Sequence, residues 1–113
     1  MVLIIENNIN IAALFKESLD MYNIDFKLAR SGVEAYKILY NSPEFDLIIT
    51  NIGLPDENGI EIIKFIKEKF NSKIIIYTGR KFSYYKNMID MYDYIFDKKI
   101  TSPSDIVSII SEM

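Results

Sequence analysis

The sequence predicts an α/β domain, a doubly wound parallel sheet of five strands with helices on both faces. Three observations point to it. Short runs of isoleucine, leucine and valine recur without polar alternation, at Val2–Ile5, within Asp46–Thr50 and within Lys73–Tyr77; strands buried on both faces read this way. Stretches with apolar residues at helical spacing lie between them. The alternation of strand and helix, repeated along the chain, implies a parallel sheet with crossover helices.

Each element follows from its residues. Val2–Ile5 is the first strand and leads into Glu6-Asn7-Asn8. Asn8 suits the N-cap of a helix to about Tyr22, whose expected apolar face is Ile11, Leu14, Phe15, Ser18, Leu19 and Tyr22. Asp25–Ala29 alternates, with Phe26 and Leu28 opposite Lys27, as in an edge strand where a lysine discourages mispairing. Ser31-Gly32 turns the chain into a helix of about Val33–Tyr40, with Ala35, Tyr36 and Leu39 inward, which Asn41-Ser42-Pro43 stops.

The third strand is Asp46–Thr50. The third helix, about Asn58 to Phe70, turns Ile62, Ile63, Ile66 and Phe70 inward and Lys64, Lys67, Glu68 and Lys69 outward. Lys73–Tyr77 is the fourth strand, and a weaker helical pattern over Phe82–Met91 follows it. Tyr94–Phe96 is the fifth strand. Ser102 as N-cap and Pro103 in the first turn open the last helix, with Ile106, Val107 and Ile110 inward. Right-handed crossovers leave few topologies, and the flavodoxin-like strand order 2-1-3-4-5 is expected.

The chain has 113 residues, the size of one domain with a core of its own. A single domain over 1–113 is expected, with no output domain in this chain. Cysteine and histidine are both absent, which excludes disulfides, thiol chemistry and serine–histidine or cysteine–histidine catalysis. The net charge is −3, and the basic residues are scattered, so no nucleic-acid footprint is expected. No apolar run approaches the ~20 residues that span a bilayer, and the start lacks the basic leader of a signal peptide. No membrane association and a cytoplasmic location are expected.

In such a sheet, ligands and chemistry sit at the carboxyl ends of the strands. Those ends carry Glu6-Asn7, Asn51, Thr78 and Lys98. Asn51 opens the run Asn51-Ile-Gly-Leu-Pro55-Asp-Glu-Asn-Gly59. With an acidic pair after strand one, Asp-x-x-x-Pro-x-x-x-Gly after strand three, Thr or Ser ending strand four and Lys ending strand five as its marks, the receiver domain of bacterial response regulators is the family this chain resembles over its whole length. The resemblance implies a two-component signalling pathway. It also implies a phospho-acceptor aspartate where Asn51 stands, a magnesium ligand where Asn7 stands, and phosphoryl-binding roles for Thr78 and Lys98. Pro55 and Gly59 would shape the loop.

The departures decide the expected activity. A carboxylate oxygen is an anionic nucleophile that yields an acyl phosphate, whereas the amide of Asn51 is neutral and a poor nucleophile. The acidic pair is halved, with Glu6 retained and Asn7 neutral. Mg²⁺ is held by one or two carboxylates plus phosphate oxygens, so its binding is expected to be weak or absent, with no other cofactor. Lys98 is expected to pair with Glu6 or donate to Asn51. Lys99 stands where the family usually has a proline, often cis. The family's aromatic switch position falls on Tyr94 or Ile95.

The expected function is therefore that of a pseudo-receiver, without catalysis, that binds proteins independently of phosphorylation. Its partner would be a sensor kinase, another response regulator or an output protein. Phe82, Tyr84, Tyr85, Tyr92 and Tyr94 exceed what one helical face can bury, and tyrosine and phenylalanine are enriched at interfaces. A homodimer through the helix over 82–91, the fifth strand and the last helix is one use of that face. The alternative is a working phospho-acceptor using another acid, such as Asp56. A flavin-binding module lacks the Gly-rich or Ser/Thr-rich loop it would need after strand one.

Overall fold

The computed structural model describes residues 1–41, 44–54, 56, 59–79 and 91–113. Along the chain, β1 (Val2–Ile5) leads to α1 (Ile9–Met21), β2 (Phe26–Ala29) to α2 (Gly32–Asn41) and β3 (Leu47–Thr50) to α3 (Gly59–Lys69). β4 (Lys73–Thr78), β5 (Tyr94–Asp97) and α4 (Pro103–Ser111) complete the described elements. The strands form one sheet in the order β2-β1-β3-β4-β5, and every pairing is parallel. This is the expected flavodoxin-like topology. Residues 80–90, with most of the helix expected over Phe82–Met91, lie outside the described residues.

The middles of the central strands are apolar because both of their faces are covered. One face packs Leu3, Ile5, Ile48, Ile74 and Ile76 against Ala35 and Leu39 of α2 and Ile62, Ile63 and Ile66 of α3. The other packs Val2, Ile4, Ile49, Ile75 and Tyr77 against Phe15 and Leu19 of α1 and Ile106 and Val107 of α4. Each fully buried side chain of this size contributes ~1.5–3 kcal/mol of transfer free energy. β2 lies at the sheet edge with Lys27 exposed.

Helix starts match local chemistry. The Asn8 side chain accepts N–H bonds from Asn10 and Ile11 at 2.9 and 3.1 Å. Ser102 and Asp105 cap α4 reciprocally, satisfying two donors that a helix start otherwise leaves unpaired. The inward face of α1 differs from expectation. Ala12, Phe15, Ser18 and Leu19 are buried, while Leu14 and Tyr22 are 48% and 44% exposed. Leu14 sits about 100° around the helix from Phe15, and Tyr22 lies beyond the last helical residue. Tyr36, Phe70 and Ile110 are only half-buried at the margins of the two cores.

Candidate functional site at the strand tips

The register brings the candidate residues together. Ile5 pairs with Thr50, Thr50 with Ile76, and Thr78 with Asp97, so β1 and β3 end level and β4 and β5 run two residues further along the same edge. The ladder also runs one residue further. Glu6 N–H donates to the Ala29 carbonyl, Asn51 N–H to Ile5 and Lys98 N–H to Thr78, each at 2.9 Å. Backbone bonds of the sheet therefore fix where these side chains begin.

Glu6 and Lys98 form one half of the site. The Lys98 ammonium donates to both Glu6 oxygens, at 2.8 and 3.2 Å. The side chains are 2% and 19% exposed respectively. The ammonium also stands 5.6 Å from the ring centroid of Tyr77, within the range where the ring face attracts a cation. Asn8 N–H approaches the same Glu6 carboxylate at 3.4 Å.

Asn7 and Asn51 form the other half. The Asn51 Nδ2 donates to Asn7 Oδ1 at 2.8 Å, and Asn51 Oδ1 accepts from Gly53 N–H at 3.3 Å. Two carboxylates at these positions would repel at this distance unless a cation lay between them. Two amides complement each other as donor and acceptor. Thr78 is buried at the end of β4.

Among the described residues, no three acidic, histidine or cysteine groups come together in a way that could hold a metal ion. The Glu6 carboxylate has both oxygens on Lys98. Mg²⁺ needs near-octahedral oxygen ligands and gives up its water reluctantly, so this donor set does not suit it.

Three residues around the site gain roles that the sequence left unassigned or assigned otherwise. Arg30, one of two arginines, donates from Nη2 to the Asn7 carbonyl at 3.1 Å. Tyr77 donates its hydroxyl to the Thr101 carbonyl at 2.6 Å, tethering the loop that carries Lys98. Burial pushes its phenol pKa upward, with the charges of Glu6, Asp105 and Asp97 adding to the effect. Asp56 accepts from Gly32 N–H at 2.8 Å and Val33 N–H at 3.0 Å. These two bonds, Gly32 first, hold its carboxyl below the usual carboxylate range. A tyrosine directly before Thr78 and an arginine at the end of β2 were the only signals available for the first two.

The remaining candidates are placed as follows. Gly59 opens α3 so close to the Ile52 backbone that a Cβ would lie 2.5 Å from the Ile52 carbonyl oxygen. Pro55, Phe82, Tyr84 and Tyr85 lie outside the described residues. Tyr92 is half-buried against the α2–α3 core together with Ile95, whereas Tyr94 is 47% exposed and stacks on Phe96 at 6.5 Å. Of the two candidates for the switch position, Ile95 thus faces the α3 side and Tyr94 the opposite one. The Lys98–Lys99 bond is trans. The loop after β5 is closed instead by Asp97, whose carbonyl accepts from Ile100 and Thr101 N–H and whose side chain accepts from Lys99 N–H.

A parallel 2-1-3-4-5 sheet with an acid, a hydroxyl and a lysine at its tips defines a receiver-type signalling module. Residues 2–111 match the family model described as the response regulator receiver domain, and the chain belongs to that family. It is 31% identical over 113 residues to the response regulator ArlR of Staphylococcus saprophyticus, a match covering 99% of this chain and 50% of that protein. The chain thus spans about half the length of the curated relatives it matches. A CheY-like receiver domain from Methanospirillum hungatei superposes with a TM-score of 0.84 at 24% identity, over 98% of this chain and 90% of that one. The chemotaxis response regulator CheY4 of Vibrio cholerae gives 0.83 at 19% identity, over 98% and 95%. These two likenesses establish the fold.

Proposed function

We propose that this receiver domain accepts no phosphoryl group and works as a protein-binding module in a two-component pathway, without catalysis of its own. The observation that carries the reading is the Asn7–Asn51 amide pair at 2.8 Å. It occupies the place where a phospho-accepting site needs an anionic nucleophile and a cation ligand. An amide conjugated with its carbonyl offers no ordinary route to an acyl phosphate. The Glu6–Lys98 pair completes a site whose charges are matched internally. Mg²⁺ binding is accordingly weak or absent.

Asp56 as a substitute acceptor is disfavoured by its two bonds to the α2 backbone. Its carboxylate would have to leave both donors before attacking phosphorus. The partner is a protein of the same pathway (a sensor kinase, a response regulator or an output protein), and the domain works in the cytoplasm without nucleic acid. The exposed ring of Tyr94 on β5 belongs to the face proposed for docking or homodimerisation.

Intact-mass measurement after incubation with a small phosphodonor and Mg²⁺ tests the reading. No phosphoryl gain is expected for the natural sequence, while Asn7→Asp/Asn51→Asp should gain one. A stable adduct on the natural chain, lost in Asp56→Ala, would overturn the proposal. A pull-down beside Asn51→Asp should recover the same partner from both.

A further inference from the structure

The loop after β3 is held at several points within a few residues of Asn51. Gly53 N–H reaches back to Asn51 Oδ1, Leu54 N–H to the Ile52 carbonyl at 3.0 Å, and Gly59 leaves no room between α3 and the Ile52 backbone. The far side of this loop is Asp56. Its carboxylate reaches out of its own loop and takes the first two N–H groups of α2, 24 and 23 residues earlier in the chain.

A helix start leaves its first four N–H groups without partners inside the helix, and its own N-cap side chain ordinarily takes only that of the second or third residue. The local candidate, Ser31, is engaged one position further on, with Glu34 N–H at 3.2 Å. The start of α2 is thus completed only by a residue from the Asn51 loop. The same corner is tied a second time, through Arg30 to the Asn7 carbonyl.

We propose that Asp56 is a clamp that makes the first turn of α2 and the Asn7–Asn51 amide pair move as one body. A protein or ligand that shifts the start of α2, where Val33 is 51% exposed, is then felt at Asn51 without covalent chemistry there. The reverse holds as well, because coupling between two sites is reciprocal. The low carboxyl pKa of Asp56 accords with a carboxylate that stays charged on its donors. This coupling goes beyond the pseudo-receiver reading and holds whether or not position 51 is ever modified.

The test uses the full chain labelled with nitrogen-15. Hydrogen exchange is followed at the Gly32 and Val33 amides, and the side-chain amide resonances of Asn7 and Asn51 are followed alongside. Asp56→Ala should accelerate exchange at both backbone amides by roughly tenfold, the usual scale for losing an N-cap, and should move both side-chain resonances. Val33→Pro removes one donor from the other side of the clamp at a position early enough in the helix to tolerate proline. It should move the Asn51 resonance in the same direction. Faster exchange with the Asn7 and Asn51 signals unmoved in both variants would show a plain helix cap and overturn the proposal. Unchanged exchange in Asp56→Ala would overturn it too.

Discussion

Removing Lys98 should cost this domain far more than removing any exposed lysine. Lys98 is the counter-charge of Glu6, whose side chain is 2% exposed and bonded to it at 2.8 and 3.2 Å. Breaking one side of a buried ion pair costs ~3–5 kcal/mol, because the remaining charge stays buried and unpaired. Lys98 is 19% exposed and so admits some water, which places Lys98→Met toward the lower limit, ~3 kcal/mol. A domain with ~5–15 kcal/mol in total would keep its fold but lose much of its margin.

The assay is urea unfolding at neutral pH, read as a shift in midpoint at constant slope. Glu6→Gln/Lys98→Met removes both charges. It should regain ~2 kcal/mol or more over Lys98→Met alone, since the penalty lies in the stranded carboxylate rather than in the lost attraction. If Lys98→Met costs under ~1 kcal/mol, the level of an exposed pair, the description of a buried Glu6 carboxylate neutralised by Lys98 is wrong.

Two further outcomes follow from the surroundings. Gly59→Ala places a methyl carbon 2.5 Å from the Ile52 carbonyl oxygen, a clash with backbone that should cost ~1–3 kcal/mol in the same unfolding assay. Tyr77→Phe deletes the bond to the Thr101 carbonyl and should cost ~0.5–1.5 kcal/mol. The raised phenol pKa of Tyr77 means that the fold favours its neutral form. That stability is complete below the unfolded tyrosine value of ~10 and is lost as pH rises through the folded value. Tyr77→Phe should therefore flatten the alkaline loss of stability, measured by unfolding across that range.

The topology was legible because the strands buried on both faces carry no polar alternation, and such runs admit few arrangements. The site positions were legible for the same reason, since parallel strands put the carboxyl ends that carry Glu6, Asn51, Thr78 and Lys98 on one edge once the order is known. What escaped was long-range pairing by ordinary residues. An aspartate in a loop gives no sign that it will cap a helix more than twenty residues upstream. Tyr77 reads as one more apolar strand residue until its hydroxyl is seen on Thr101. Leu14 shows the limit of periodicity: a residue on the flank of an apolar stripe is inside or outside according to how the neighbouring helix sits.

Charge explains why two neutral residues stand together at the tips. Glu6 and Lys98 sum to zero and satisfy each other. A carboxylate at both position 7 and position 51 would leave two negative charges facing each other, the deficit that a divalent cation removes. Replacing both by amides changes the local charge as binding that cation would, which is the basis of the proposed independence from Mg²⁺. Asn7→Asp/Asn51→Asp should therefore be less stable than the natural chain without metal and should regain stability with Mg²⁺. The gain should approach ~2.7 kcal/mol at a hundredfold excess over its dissociation constant. Thermal unfolding with and without Mg²⁺ measures it. The natural chain should show no such dependence, and a comparable rise in its melting temperature would contradict the charge argument itself.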